Sequence, residues 1–111
     1  MKLTDIIEKF DLEKMTGFES MNPEITAAYT SDLLSDVIAN AKKDNIWITL
    51  QTHLNILAVA KLKELAAIII VSNREIEKET IEKAVAEKVI LLRTTLNAFQ
   101  ISGKLYEIGL R

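Results

Sequence analysis

From residue 25 onward, short runs of branched apolar residues alternate with longer stretches in which apolar positions recur every three or four residues. The short runs read as strands and the longer spacing as helices. The pattern predicts strands over 25–30, 46–50, 67–71 and 89–92, and helices over 33–41, 55–65, 77–87 and 96–108. The strands at 46, 67 and 89 begin 21 and 22 residues apart. Strand and helix alternating at near-constant spacing predict βαβ units, a mostly parallel sheet of four to five strands, and right-handed crossovers. Ala67, Ile68, Ile69, Ile70 and Val71 form an unbroken apolar run, the mark of a strand covered on both faces. It is expected in the sheet interior, with helices on both sides.

The first 22 residues are less regular. Thr4 stands where an N-cap belongs, and Ile6, Ile7 and Phe10 share one helical face. A short strand is expected over 12–16 and a loop over 17–23, bounded by Gly17 and Pro23. Asp32 and Thr95 are expected to cap the helices that follow them. The chain therefore reads as one α/β domain: an N-terminal piece over 1–22 and βα repeats over 23–111.

Composition narrows the classes. Of 111 residues, 49% are hydrophobic and 27% charged, the balance of an ordinary globular domain. Fourteen basic and 16 acidic residues give a net charge of −2. No basic excess exists to meet a phosphate backbone, so nucleic acid is not expected as a partner. The absence of cysteine excludes disulfides, iron–sulfur ligation and thiolate chemistry. The opening residues lack the long apolar core of a signal peptide, and the longest apolar run, 65–71, is far short of the ~20 residues of a membrane span. A cytoplasmic location without membrane contact is expected.

In an open parallel sheet, ligands bind beyond the carboxyl ends of the strands. Polar clusters follow each predicted strand: Ser31 and Asp32; Gln51, Thr52, His53 and Asn55; Ser72, Asn73 and Arg74; Thr94 and Thr95. Parallel strands would gather them on one edge, at helix N-termini that favour anions, with His53 and Arg74 adding donors. The same residue types are ordinary helix caps, so two readings stand: capping alone, or capping together with a small anionic ligand. No catalytic residue, cofactor or metal site is expected. His53 is the only histidine and lacks triad partners. The glycine patterns of the P-loop, the dinucleotide fingerprint and the nucleophile elbow are all missing. An enzyme reading would need Asp32, Asp36 and His53 to converge around a metal.

Two predicted helices carry more apolar surface than one small domain needs. Residues 55–65 have charges only near their end. Leu96, Phe99, Ile101, Leu105, Tyr106, Ile108 and Leu110 spread around more than one face of the last helix. A helix apolar on several sides is buried in a core or against a partner, and a homodimer is expected. A further protein partner is the alternative.

The segment 29–37 (Tyr-Thr-Ser-Asp-Leu-Leu-Ser-Asp-Val), then 47–53 (Trp-Ile-Thr-Leu-Gln-Thr-His), 67–71 and 91–99 (Leu-Leu-Arg-Thr-Thr-Leu-Asn-Ala-Phe) resemble small stand-alone DRTGG-domain proteins. The resemblance runs from Tyr29 to Leu110. It implies a parallel α/β domain similar to the N-terminal domain of HPr kinase. DRTGG domains accompany phosphate acetyltransferases and CBS-type pyrophosphatases as non-catalytic, often dimerising regions. Some stand-alone members lie beside iron-only hydrogenase genes, which implies a link to redox or central carbon metabolism. This sequence departs from the name-giving pattern. Gln51-Thr52-His53 stands where many members carry Gly-Asp-Arg, and Ser72-Asn73-Arg74 where they carry Thr-Gly-Gly. The implied function is a non-catalytic regulatory or interaction domain.

Overall fold

A computed structural model describes residues 1–16 and 21–111. Ten elements follow in order: α1 (Leu3–Lys9), β1 (Glu13–Lys14), β2 (Ala27–Thr30), α2 (Leu34–Asn40), β3 (Asn45–Thr49), α3 (Asn55–Lys63), β4 (Ala67–Ile70), α4 (Lys78–Glu87), β5 (Leu91–Arg93) and α5 (Ala98–Glu107). The sheet order is β1-β5-β4-β3-β2. Strands β2 to β5 are parallel, with Trp47 beside Tyr29 and Ile68, and Ile70 beside Arg93. Only β1 is antiparallel, with Glu13 opposite Arg93. The mostly parallel α/β sheet read from the pattern is the one observed, and β4 is its central strand.

Strand alternation sorts the apolar side chains into two cores. Ile46, Ile48, Ala67, Ile69 and Leu92 face Leu3 and Ile6 of α1 and Ile101 and Leu105 of α5. Trp47, Ile68, Ile70 and Leu91 face Val37 of α2, Ile56, Leu57, Val59 and Ala60 of α3, and Ala84 of α4. Helices α2, α3 and α4 therefore share one face, and α1 and α5 the other. This follows from the order: β2, β3, β4 and β5 step one way across the sheet, so right-handed crossovers place every connecting helix on the same side. Much of the apolar excess of α3 is thereby used within the chain, because α3 lies in the middle of a three-helix layer.

Several local expectations are corrected. Thr4 does not cap α1. The N-cap is Lys2, without a side-chain bond, and Asn22 Oδ1 accepts the Thr4 N–H at 3.0 Å from across the chain. The strand expected from residue 25 begins at Ala27, because Ile25 N–H donates to the Met1 carbonyl at 2.8 Å and leaves the β2 line. The expected strand over 12–16 shrinks to two residues, since the Leu12 N–H still closes the end of α1 on the Ile7 carbonyl at 3.0 Å. Thr95 is not the cap of α5; Asn97 is, in a reciprocal capping box with Gln100. Of the loop expected over 17–23, residues 21–23 carry no regular element and 17–20 lie outside the described residues. Among the described residues, no helix is long and apolar enough to cross a membrane.

Candidate functional site

The polar clusters that trail β2, β3, β4 and β5 stand on one edge of the sheet, because those four strands run the same way. Their bonding divides them into three groups. The first knits β2 to β3. Asp32 Oδ1 accepts from the Thr49 hydroxyl at 2.9 Å and from the Leu50 N–H at 2.7 Å, and Gln51 Nε2 donates to the Asp32 carbonyl at 2.9 Å. Ser31 gives its carbonyl to Trp47 Nε1 at 2.8 Å and its hydroxyl to the Leu33 N–H at 3.2 Å. Asp32 is thus a strand-end staple and not the cap of α2, whose N-cap is Leu33. Its donors are a buried threonine and a main-chain amide that parallel pairing brings 17 and 18 residues nearer.

The second group lies at the start of α3 and α4. His53 Nδ1 accepts the Asn55 N–H at 3.2 Å, so His53 closes the first turn of α3, where Asn55 is the first helical residue. The Thr52 carbonyl accepts from the buried Thr80 hydroxyl at 2.8 Å. Beside His53, an open depression is lined by Glu77, Lys78 and Glu79. Two carboxylates against one ammonium make it a poor receptor for an anion.

The third group joins β4 to β5. Ser72 and Asn73 both have left-handed backbone, with φ of 60° and 50°. That conformation turns their N–H groups toward the neighbouring loop. Ser72 donates to the Leu96 carbonyl and Asn73 to the Thr94 carbonyl, each at 2.8 Å. The Thr94 hydroxyl accepts the Leu96 N–H at 3.2 Å. Arg93 Nη1 donates to the Arg74 carbonyl at 3.2 Å, while Arg93 Nε and Nη2 meet Glu13 Oε1 at 2.9 and 2.8 Å.

This third group coincides with a change in chain direction. After β2, β3 and β4 the chain leaves toward the α2–α3–α4 face, but after β5 it leaves toward α5 on the opposite face. Loops that part to opposite faces open a crevice between their strands. The only such divergence among β2 to β5 lies between β4 and β5. A concavity of about 210 Å³ sits there, lined by Phe10, Asp11, Glu13, Asn73, Arg93, Thr94, Thr95 and Leu96. Asn73, Thr94 and Thr95 were legible as strand-end residues. Phe10, Asp11 and Glu13 were not, since they arrive from α1 and β1, about 80 residues distant in sequence. Arg93 was within reach: it lies between the strand expected over 89–92 and Thr94, and the structure makes it the last residue of β5.

A left-handed serine costs roughly 1–2 kcal/mol that glycine does not incur, set against glycine's larger loss of backbone entropy, roughly 0.5–1 kcal/mol. Ser72→Gly should therefore raise unfolding stability by about 0.5–1 kcal/mol, read by urea titration.

The metal-centred alternative is not supported by the geometry. Asp32 is turned to Thr49. Asp36 accepts from the Tyr29 hydroxyl at 2.8 Å and from Asn40 Nδ2 at 2.9 Å. That tyrosine bond holds the Asp36 carboxyl below its ordinary range and raises the Tyr29 hydroxyl above its own. His53 is occupied with Asn55. Asp32, Asp36 and His53 do not converge, and among the described residues no three metal-ligating side chains gather anywhere.

No family model and no curated protein matches the chain. Among solved structures, the CBS and DRTGG domains of the regulatory region of Clostridium perfringens pyrophosphatase, complexed with the activator diadenosine tetraphosphate, align with 93% of this chain at a TM-score of 0.71 and 16% identity. The fold is DRTGG-like. At that identity the likeness is one of fold, and the chain spans 44% of the solved one. The mostly parallel α/β arrangement expected from the resemblance is thus present, with left-handed Ser72 and Asn73 at the tight turn after β4.

Proposed function

We propose that this chain is a non-catalytic regulatory or interaction domain, homodimeric, that takes a small metabolite or nucleotide at the carboxyl edge of its sheet between β4 and β5. The observation that carries the reading is the parting of the chain after β4 and β5, with Asn73, Thr94 and Thr95 at the mouth. Phe10 and Leu96 supply apolar walls suited to a ring, and the Asn73 amide and Thr95 hydroxyl supply polar contacts to its edge. Arg93 is already engaged by Glu13, and Asp11 adds a second carboxylate. A nucleoside portion therefore suits the concavity better than an isolated phosphate. The fold likeness to a pyrophosphatase regulatory region solved with a dinucleotide activator supports a nucleotide as the first probe.

The test is a thermal-shift series with adenosine, AMP, ATP, diadenosine tetraphosphate and acetyl phosphate. A ligand present at 100 times its Kd adds about 2.7 kcal/mol, which raises the Tm of a domain this size by roughly ten degrees. Asn73→Gly keeps the left-handed backbone and removes the amide, so it should abolish most of that shift. Absence of a shift with every probe, or a shift untouched by Asn73→Gly, would remove the ligand from the proposal. An accessory subunit that binds only protein is then the reading favoured by the exposed Leu33, Leu62 and Phe99.

A further inference from the structure

Three charged side chains line the concavity between β4 and β5, and only Arg93 among them is a cation. Every nitrogen of its guanidinium is engaged. Nε and Nη2 meet Glu13 Oε1 at 2.9 and 2.8 Å, and Nη1 donates to the Arg74 carbonyl at 3.2 Å. The antiparallel register sets Glu13 directly opposite Arg93. Main-chain pairing therefore holds the carboxylate there, beyond what side-chain attraction alone would do. Asp11 brings the second carboxylate to the lining. It stands just past the C-cap of α1, on left-handed backbone with φ of 51°. A helix favours cations at its carboxyl end, so the charge of Asp11 does nothing for α1.

We propose that Asp11 and Glu13 are the specificity-determining residues of this site, admitting an unphosphorylated nucleoside and turning away its phosphorylated form. The inference rests on the ligand-binding part of the proposed function. A bound phosphate calls for the planar fork of an arginine, and Glu13 already fills that fork. A phosphate monoester would bring close to two further negative charges into a space of about 210 Å³ that holds two carboxylates against one guanidinium. Salt screens little over so short a span, because the Debye length is about 8 Å at physiological ionic strength. The carboxylates that repel a phosphate suit a neutral sugar: an ionised carboxylate only accepts, and a ribose hydroxyl can donate to it. The domain thus responds to the loss of a phosphate from its ligand.

Isothermal titration with adenosine, AMP and inorganic phosphate tests this in the wild type, in Glu13→Gln and in the double variant Asp11→Asn/Glu13→Gln. Asparagine accepts left-handed backbone, and the Glu13 carboxylate is half-exposed, so both variants should melt within a few degrees of the wild type. The wild type should bind adenosine at least about tenfold more tightly than AMP, and the double variant should reverse that order, with Glu13→Gln between them. Inorganic phosphate should bind the double variant and not the wild type. A wild type that takes AMP as tightly as adenosine overturns the inference and leaves the ligand site in place. A wild type that binds no adenosine, beside a double variant that gains phosphate, upholds the two carboxylates as a bar to phosphate and removes the nucleoside from the proposed function. A double variant that gains neither AMP nor phosphate overturns the inference whatever the wild type binds.

Discussion

Replacing Trp47 by alanine should cost about 3–5 kcal/mol. Trp47 is fully buried at the centre of the three-helix face, packed with Val37, Ala41, Ile56 and Leu57. Its ring is the largest fully buried side chain in the core, and truncation leaves a cavity into which the surroundings relax only partly. The loss is compounded at the indole nitrogen, which donates to the Ser31 carbonyl at 2.8 Å. That bond draws the end of β2 over β3 and sets Asp32 against Thr49 and Leu50. A domain whose total stability is about 5–15 kcal/mol would lose roughly a fifth of it or more. Trp47→Phe separates the two effects, retaining most of the apolar area and orphaning the carbonyl, for a loss of about 1–3 kcal/mol. Urea unfolding followed by far-UV circular dichroism measures both. A Trp47→Ala protein within about 1 kcal/mol of the wild type would mean that the core is not packed as described.

The second large effect is expected at Thr16. Thr16 is 4% exposed, and its side chain bridges the first residue of β5 and a main-chain group two residues before it. The hydroxyl donates to the Val89 carbonyl at 3.2 Å and accepts the Leu91 N–H at 3.0 Å. Thr16→Val keeps the shape and removes the bridge, leaving a donor and an acceptor without partners inside the protein. The expected cost is about 1–3 kcal/mol. Thr16→Ser, which restores the hydroxyl, should recover most of it. Amide exchange at Leu91 discriminates a specific loss from a general one. It should quicken in Thr16→Val more than exchange at Ile69, in the central strand.

These two residues mark how far the sequence could be read. The repeat of strands near 46, 67 and 89 sufficed for the parallel sheet, since a buried parallel strand announces itself by an unbroken apolar run and each crossover has only one hand. Asn55 and Glu87 were placed correctly as helix ends. The caps were not. Thr4, Asp32 and Thr95 have the right chemistry for capping, but the donors that reach them, or fail to, belong to other segments. Asn22 serves α1 from 18 residues away, and Asp32 is claimed by β3. Helices α3 and α4 end on left-handed Glu64 and Lys88 without the glycine that usually signals such an end.

The candidate site was legible by halves. Its strand-end residues follow from direction alone, and four polar clusters on one edge were expected. Which gap between strands opens depends on the face that α5 takes, and no local pattern encodes that. Phe10, Asp11 and Glu13 could be placed beside Thr95 only once β1 was known to pair with β5. The Arg93–Glu13 ion pair at that contact reads as two ordinary surface charges in the sequence.

The pairing of β1 with β5 also orders events in time. Each parallel strand meets a partner that the chain has just produced, whereas Glu13 waits for Arg93, a loop whose closure is the costliest in the sheet. That rung is expected to zip last and fray first. Phe10, Asp11 and Glu13 line the concavity together with Asn73, Thr94 and Thr95, so a molecule lodged there would act as a clasp on the seam between β1 and β5.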